Sequence, residues 1–282
     1  MMQILGYHNH NNFCDGEKNL DEYLQEAVKQ RFTAFGFSSH APFNFFNKWS
    51  ISVKNLNKYS SEIDFYKTKY ETNFDLWKAL EIDYAPGFIE NFDFFREKYR
   101  LDYVIGSIHY VVHPRNKKLL FIDGDKERFK AGVHKIFGGD IRYAVESYFA
   151  QTMEMICTQK PDIAGHVDKI IMNASDSILI NGNYPPWYEN IVKQVVNEAV
   201  SNKVIIELNM RGLIKNKWHS SFIDEYFLPY CNKQGAKFVV STDAHKPQEI
   251  ALFYEKGLQM LSAAGIKTLM RFTGNKWTEE TF

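Results

Sequence analysis

The chain has 282 residues, enough to bury one large α/β core or two smaller ones, and its 34 basic residues balance 34 acidic ones. That balance gives no support to a nucleic-acid groove or an anionic membrane surface as the main partner, and it suits a small polar substrate better. No apolar run reaches the length of a membrane span, the first is too short for a signal-peptide core, and Cys14, Cys157 and Cys231 form no C-x-x-C pair. A cytoplasmic protein without a disulfide framework is therefore expected, its oligomeric state left open.

In chain order, residues 3–7 read as a strand that runs into His8-Asn9-His10, with Asp15 close behind. Asn19 caps a helix to about Arg31 that carries Leu20, Tyr23, Leu24, Ala27 and Val28 on one face. A second strand over 33–37 delivers Ser38-Ser39-His40-Ala41-Pro42. A long polar helix over about 53–71 precedes a strand over 77–82 that carries Glu81, and Pro86 is placed in the first turn of a helix reaching about Tyr99. The strand over 103–108 ends at His109. Residues 113–125 read as a loop, followed by a helical region broken at Gly138-Gly139 that resumes from Asp140 to about Lys160. Next come a strand over 162–165 bringing His166, a helix over about 186–202, and a strand over 204–208 leading to Asn209-Met210-Arg211-Gly212. A strand over 237–240 ends in Asp243-Ala244-His245, a helix spans about 247–264, and residues 267–272 form a last short strand. Short apolar runs alternating with amphipathic ones signal repeated βα units around a parallel sheet.

Six of these strands end in imidazole or carboxylate, the groups that hold zinc-class and harder cations. In His8-x-His10 and in Asp243-x-His245 the two side chains point to one side, because extended residues alternate. Glu81 lies in an otherwise apolar strand, where an ionised carboxylate needs a cation or an arginine. His109 and His166 hold equivalent places in successive units. His113, His134 and His219 lack this context and read as loop or helix residues, with His219 kept as a substrate contact. Cys14, beside Asp15, reads as a loop residue. Ligands from so many strands converge only if the sheet closes, so a barrel with its chemistry at the C-terminal strand ends is favoured over an open doubly wound sheet.

The set H-x-H-x4-D, S-x-H-A-P, E-I-D, G-S-I-H, G-H-x-D and D-A-H, in that order from His8 to His245, resembles the PHP (polymerase and histidinol phosphatase) phosphoesterases, and most closely their histidinol-phosphatase branch. The resemblance implies that residues 1–282 form one distorted (β/α)7 barrel of PHP type holding three divalent ions, with zinc, manganese and iron all compatible with mixed nitrogen and oxygen ligands. It implies His8, His10, Glu81 and Asp243 at the first ion, Glu81, His109 and His166 at the second, and Asp15, His40 and His245 at the third. Glu81 would bridge two of them. Where relatives have an arginine soon after G-H-x-D this chain has Ile171, with Lys169 nearby.

The resemblance implies hydrolysis of L-histidinol phosphate in histidine biosynthesis. The expected mechanism is attack by a hydroxide bridging the first two ions, with the third ion and Arg211 on the phosphoryl oxygens. Lys169 is either a further positive charge or a solvated lysine at a helix start, and Asp243 or a nearby histidine protonates the leaving alkoxide. Asp83 and Asp168 are expected to orient ligands. Aromatic residues between Pro42 and Trp49, together with Phe121 and Asp123, are candidates for the leaving-group pocket. The alternatives are a related phosphatase or phosphodiesterase for nucleotides or other small phosphate esters, a module serving a polymerase, and a barrel using its metals structurally.

Overall fold

The computed structural model describes residues 4–282, so Gln3 of the expected first strand lies outside the described residues. The elements are β1 (Ile4–Gly6), α1 (Leu20–Lys29), β2 (Phe32–His40), α2 (Leu56–Tyr70), β3 (Asp75–Asp83), α3 (Phe92–Tyr99), β4 (Tyr103–Ser107), β5 (Tyr110–Val112), β6 (Leu119–Phe121), α4 (Lys126–Phe137), α5 (Ile141–Gln159), β7 (Ile163–Ala164), α6 (Ile171–Ile178), α7 (Pro186–Ser201), β8 (Ile205–Asn209), α8 (Arg211–Ile214), α9 (Leu228–Gln234), β9 (Phe238–Ser241), α10 (Tyr254–Ala263), β10 (Thr268–Phe272) and β11 (Trp277–Thr281).

Seven strands form one parallel sheet in the order β1-β2-β3-β4-β7-β8-β9. The strands are apolar along almost their whole length because helices cover one face and the barrel interior the other. The sheet nearly closes on itself beyond the ends of β1 and β9. There Asn9 and Ala244 form a parallel bridge, with His10 N donating to the Ala244 carbonyl at 2.8 Å. The barrel is therefore the (β/α)7 type expected.

Local chemistry sets the helix boundaries. The Asn19 side chain accepts from Glu22 N at 3.1 Å to open α1, whose Leu20, Tyr23, Leu24 and Ala27 are buried. Gly138, at φ 65°, closes α4 in the left-handed conformation that a side chain disfavours. Pro86 does not start a helix. It lies in a turn, and α3 begins at Phe92 because Asn91 caps it, accepting from Phe94 N at 2.8 Å. The expected loop over 113–125 contains half of an antiparallel hairpin, β5–β6. The expected helix from Pro247 is interrupted by Phe253 at φ 62° and resumes as α10. Helix α6 and strand β11 extend the expected pattern.

Strands β10 and β11 pair antiparallel and cover the end of the barrel where the strands begin. Phe272 and Trp277 pack there on Tyr7 and Tyr103, and Phe272 N donates to the Tyr7 hydroxyl at 2.9 Å. The Tyr103 hydroxyl donates to the Tyr7 carbonyl and passes so close to Gly36 that a Cβ there would collide with it. Among the described residues no helix is long and apolar enough to cross a membrane.

Candidate metal centre and active site

All the strand-end residues expected as ligands meet at the opposite end of the barrel, and sheet register explains how. His40 and Glu81 are register partners on β2 and β3, and Glu81 and Asp83 project from one face of β3. Five imidazoles surround the Glu81 carboxylate. His166 Nε2 lies 2.9 Å from Oε1 and His109 Nε2 3.9 Å from it, while His40 Nδ1, His8 Nε2 and His10 Nε2 lie 3.0, 3.1 and 3.4 Å from Oε2. Asp15 reaches His245 Nε2 at 3.4 Å and His40 Nε2 at 3.7 Å. Asp243, at φ 50°, turns its carboxylate to 3.1 Å from His10 Nε2.

Three groups of candidate ligand atoms each fall within 4.8 Å of one another: His8, His10 and Asp243; His40, Glu81 and His109; and His10, Asp15, His40 and His245. All the residues expected as ligands are thus brought together, with His10 and His40 shared between groups more freely than the sequence implied. Buried polar atoms ordinarily have partners. Here His8 Nε2, His10 Nε2 and Asp243 Oδ1 are buried without a hydrogen bond, since the close approach of the last two is not aligned as one. Donor atoms that converge in this way, with nothing protein-made between them, fit a cation.

Charge follows the same arrangement. Burial opposes ionisation of Glu81 and Asp243, but His40 and His8 around the first, and His8 and His10 around the second, hold both carboxyls well below their usual range. His10 is pushed down by burial and by His245 and His40, which keeps its ring neutral. Burial pulls His40 down, but Glu81 and Asp15 raise it to about 9. Burial raises the Cys14 thiol to about 11, so a thiolate ligand there is disfavoured.

The outer contacts sort the remaining expectations. Asp83 orients His109 as expected, at 2.8 Å from Nδ1 and accepting from its N–H at 2.6 Å. Asp168 does not orient His166. Its Oδ2 accepts from Asp224 N at 2.8 Å, while burial and the Asp224 charge raise its carboxyl to about 8. The residue that sequence reasoning missed is Glu207 on β8. It approaches His8 Nδ1 at 2.5 Å and accepts from His166 N at 2.8 Å and Asn209 Nδ2 at 3.0 Å. The available signal was the one used for Glu81, an acid inside an apolar strand.

A cavity of about 390 Å³ opens over the cluster. Arg211 and Lys169 both line it, as expected of phosphate contacts. Arg211 Nη1 donates to Glu249 Oε2 at 2.6 Å, and the same oxygen accepts from His245 N at 2.9 Å, so Glu249 ties the guanidinium to the loop that carries Asp243 and His245. Lys169 Nζ lies 3.1 Å from Asp123 Oδ2 and 2.9 Å from His109 Nε2. Burial disfavours the Lys169 charge, but Asp123 more than restores it. Trp49 and Phe121 line another side of the cavity with their rings 6.4 Å apart and 29° from parallel. His219 is not brought to the cavity. It is exposed and packs on Trp218, whose indole is anchored on Asp224 at 3.0 Å, so the neighbouring side chain points outward.

A barrel of this topology with these ligands defines a class, and the model of the PHP domain matches residues 6–211, so the chain belongs to the PHP family. Within it, the chain is 24% identical over 281 residues to a Schizosaccharomyces pombe protein named "Probable histidinol-phosphatase", covering 95% of this chain and 89% of that one. It is 23% identical to the histidinol-phosphatase of Saccharomyces cerevisiae, covering 86% of this chain and 82% of that one. The crystal structure of histidinol phosphate phosphatase from Lactococcus lactis, complexed with zinc, L-histidinol and phosphate, shares the fold at a TM-score of 0.71. It is 19% identical and covers 99% of this chain and 100% of that one.

Proposed function

We propose that this chain is a metal-dependent phosphomonoesterase that converts L-histidinol phosphate into L-histidinol and phosphate, a step of histidine biosynthesis. The observation that carries the reading is the convergence of His8, His10 and Asp243 donor atoms, buried without hydrogen bonds, beneath a cavity lined by Arg211 and Lys169. The relatives named for this activity support the choice of substrate.

We assign the cluster three divalent ions of the zinc, manganese or iron type, held by His8, His10, Asp15, His40, Glu81, His109, His166, Asp243 and His245. Such ions supply a nucleophile from water at neutral pH and neutralise charge on the phosphoryl oxygens. The chain itself does the positioning. Arg211, fixed by Glu249, presents its remaining donors to the phosphoryl group, and Lys169, which lines the same cavity, adds a second positive charge. Trp49 and Phe121 offer flat apolar faces to an imidazole, and Asp123 offers a carboxylate to an ammonium. The depressed Asp243 carboxyl suits a ligand better than a proton donor, so we read it as the former.

The test is hydrolysis by purified, metal-loaded protein of L-histidinol phosphate, a nucleotide panel and a generic aryl phosphate. A kcat/KM for histidinol phosphate well above the rest is expected. Equal rates on all of them would refute the substrate assignment, and no hydrolysis of any would refute the enzyme class.

A further inference from the structure

Besides Lys169, four cations line the cavity, and they are not equally accounted for. Arg211 is balanced by Glu249 at 2.6 Å and Lys246 by Glu17 at 2.9 Å. Lys217 donates at 2.7 Å to the Gly124 carbonyl, a neutral partner that leaves its charge uncompensated. Lys215 makes no ion pair and no hydrogen bond through its ammonium among the described residues, although it lines the same cavity. It stands four residues after Arg211, where like charges on a helix repel, and desolvation followed by the Arg211 charge pulls its pKa down. A chain with equal numbers of acids and bases does not gather unpaired cations here through composition. Their company is unfavourable until an anion arrives.

We propose that Lys215 and Lys217 form an outer anion subsite that captures the phosphate-monoester dianion at the mouth of the cavity and passes it inward to Arg211. The proposal rests on the reading of the cavity as a phosphoesterase site, but it is independent of which alcohol leaves. Arg211 and Lys215 lie one turn apart along α8 and its end, so a dianion can exchange from the outer cation to the inner one without being freed to solvent. The two lysines add positive potential where low-dielectric walls focus it, and this effect raises association rates. Lys217 also spans the mouth to the loop after β6, which fixes its charge at the entrance.

The test uses the metal-loaded protein and 4-nitrophenyl phosphate, a substrate indifferent to histidinol recognition. The Lys215→Glu/Lys217→Glu variant should lose about tenfold in kcat/KM at low salt. It should also lose most of the salt dependence seen in the parent as ionic strength rises from about 0.01 M to about 1 M and screening shortens from about 30 Å to about 3 Å. Inorganic phosphate, titrated calorimetrically, should bind the variant several-fold more weakly. Lys29→Glu/Lys233→Glu, at exposed positions of α1 and α9 away from the cavity, reverses the same number of charges and is the control for net charge. Parent and variant with equal salt slopes and equal phosphate affinity overturn the proposal, as does an equal loss in the control. Loss of histidinol-phosphate preference with these salt effects intact would instead overturn the substrate assignment and leave the subsite standing.

Discussion

The two ends of this barrel are built from the same strands by opposite rules. Where the strands begin, aromatic rings interlock and polar atoms other than the Trp77 indole find partners: Tyr103 on the Tyr7 carbonyl, Phe272 N on the Tyr7 hydroxyl, and the Trp277 indole on Asp162 at 3.2 Å. Where the strands end, imidazoles crowd one carboxylate and buried donor atoms are left without hydrogen bonds. The first end holds the fold by ring packing. The second is complete only with a ligand, so stability and chemistry are separable by mutation.

The contrast breaks most sharply at the metal end. His10→Ala should lower kcat by at least about a thousandfold, comparable to loss of a catalytic group, while melting of the metal-free protein changes little. Metal content by mass spectrometry and a thermal scan test both halves. At the other end Phe272→Ala removes a buried ring that packs on Trp77, Tyr103 and Trp277, and should cost about 3–5 kcal/mol. Denaturant titration reads that loss, and the activity of the remaining folded protein should match the parent.

Three smaller effects sharpen the division. Glu207→Gln keeps the shape but weakens the anchor on His8, so metal affinity should fall by about 10–100-fold in a chelator competition. Asp123→Asn should cost about tenfold in kcat/KM for histidinol phosphate, near the value of one charge-assisted hydrogen bond, with less loss on an aryl phosphate, which has no ammonium group. A third effect follows pH. Because His40 is raised to about 9 in the metal-free protein, its protonation stabilises that state fully below the ordinary histidine pKa and ceases to do so as pH rises through about 9. Metal, which needs the neutral ring, should therefore bind more tightly as pH rises over that window, and titration calorimetry at several pH values tests the sign.

The metal end was the more legible of the two in the sequence. Period-two alternation placed His8 with His10, and an acid in an apolar strand marked Glu81. Asp243 and His245 do come within 3.5 Å, but through the left-handed turn at Asp243 and not through the extended alternation read from the sequence. The same mark on Glu207 was available, but no neighbouring histidine drew notice to it; its partners come from β1 and β7, far away in the chain. Asp168 misled because two-residue spacing from a ligand looks alike whether the side chain faces the metal or, as here, the Asp224 backbone. Hairpin β5–β6, helix α6 and strand β11 went unread because each is short and takes its stability from packing, which local periodicity does not carry. Asp123 was read as a pocket residue, but its pairing with Lys169, like that of Glu249 with Arg211, joins separate elements and emerges only in three dimensions.

The bridge between Asn9 and Ala244 has a mechanical consequence. Those two residues form the seam where the barrel meets itself, and each is flanked by candidate ligands, His8 and His10 on one side, Asp243 and His245 on the other. An ion gripped by both sides works as a clasp, tying an early stretch of the chain to a late one at the point where backbone pairing is thinnest. Amide protons along this seam should therefore exchange fastest when the ions are stripped and slowest when they return, with the aromatic hairpin at the far end unaffected.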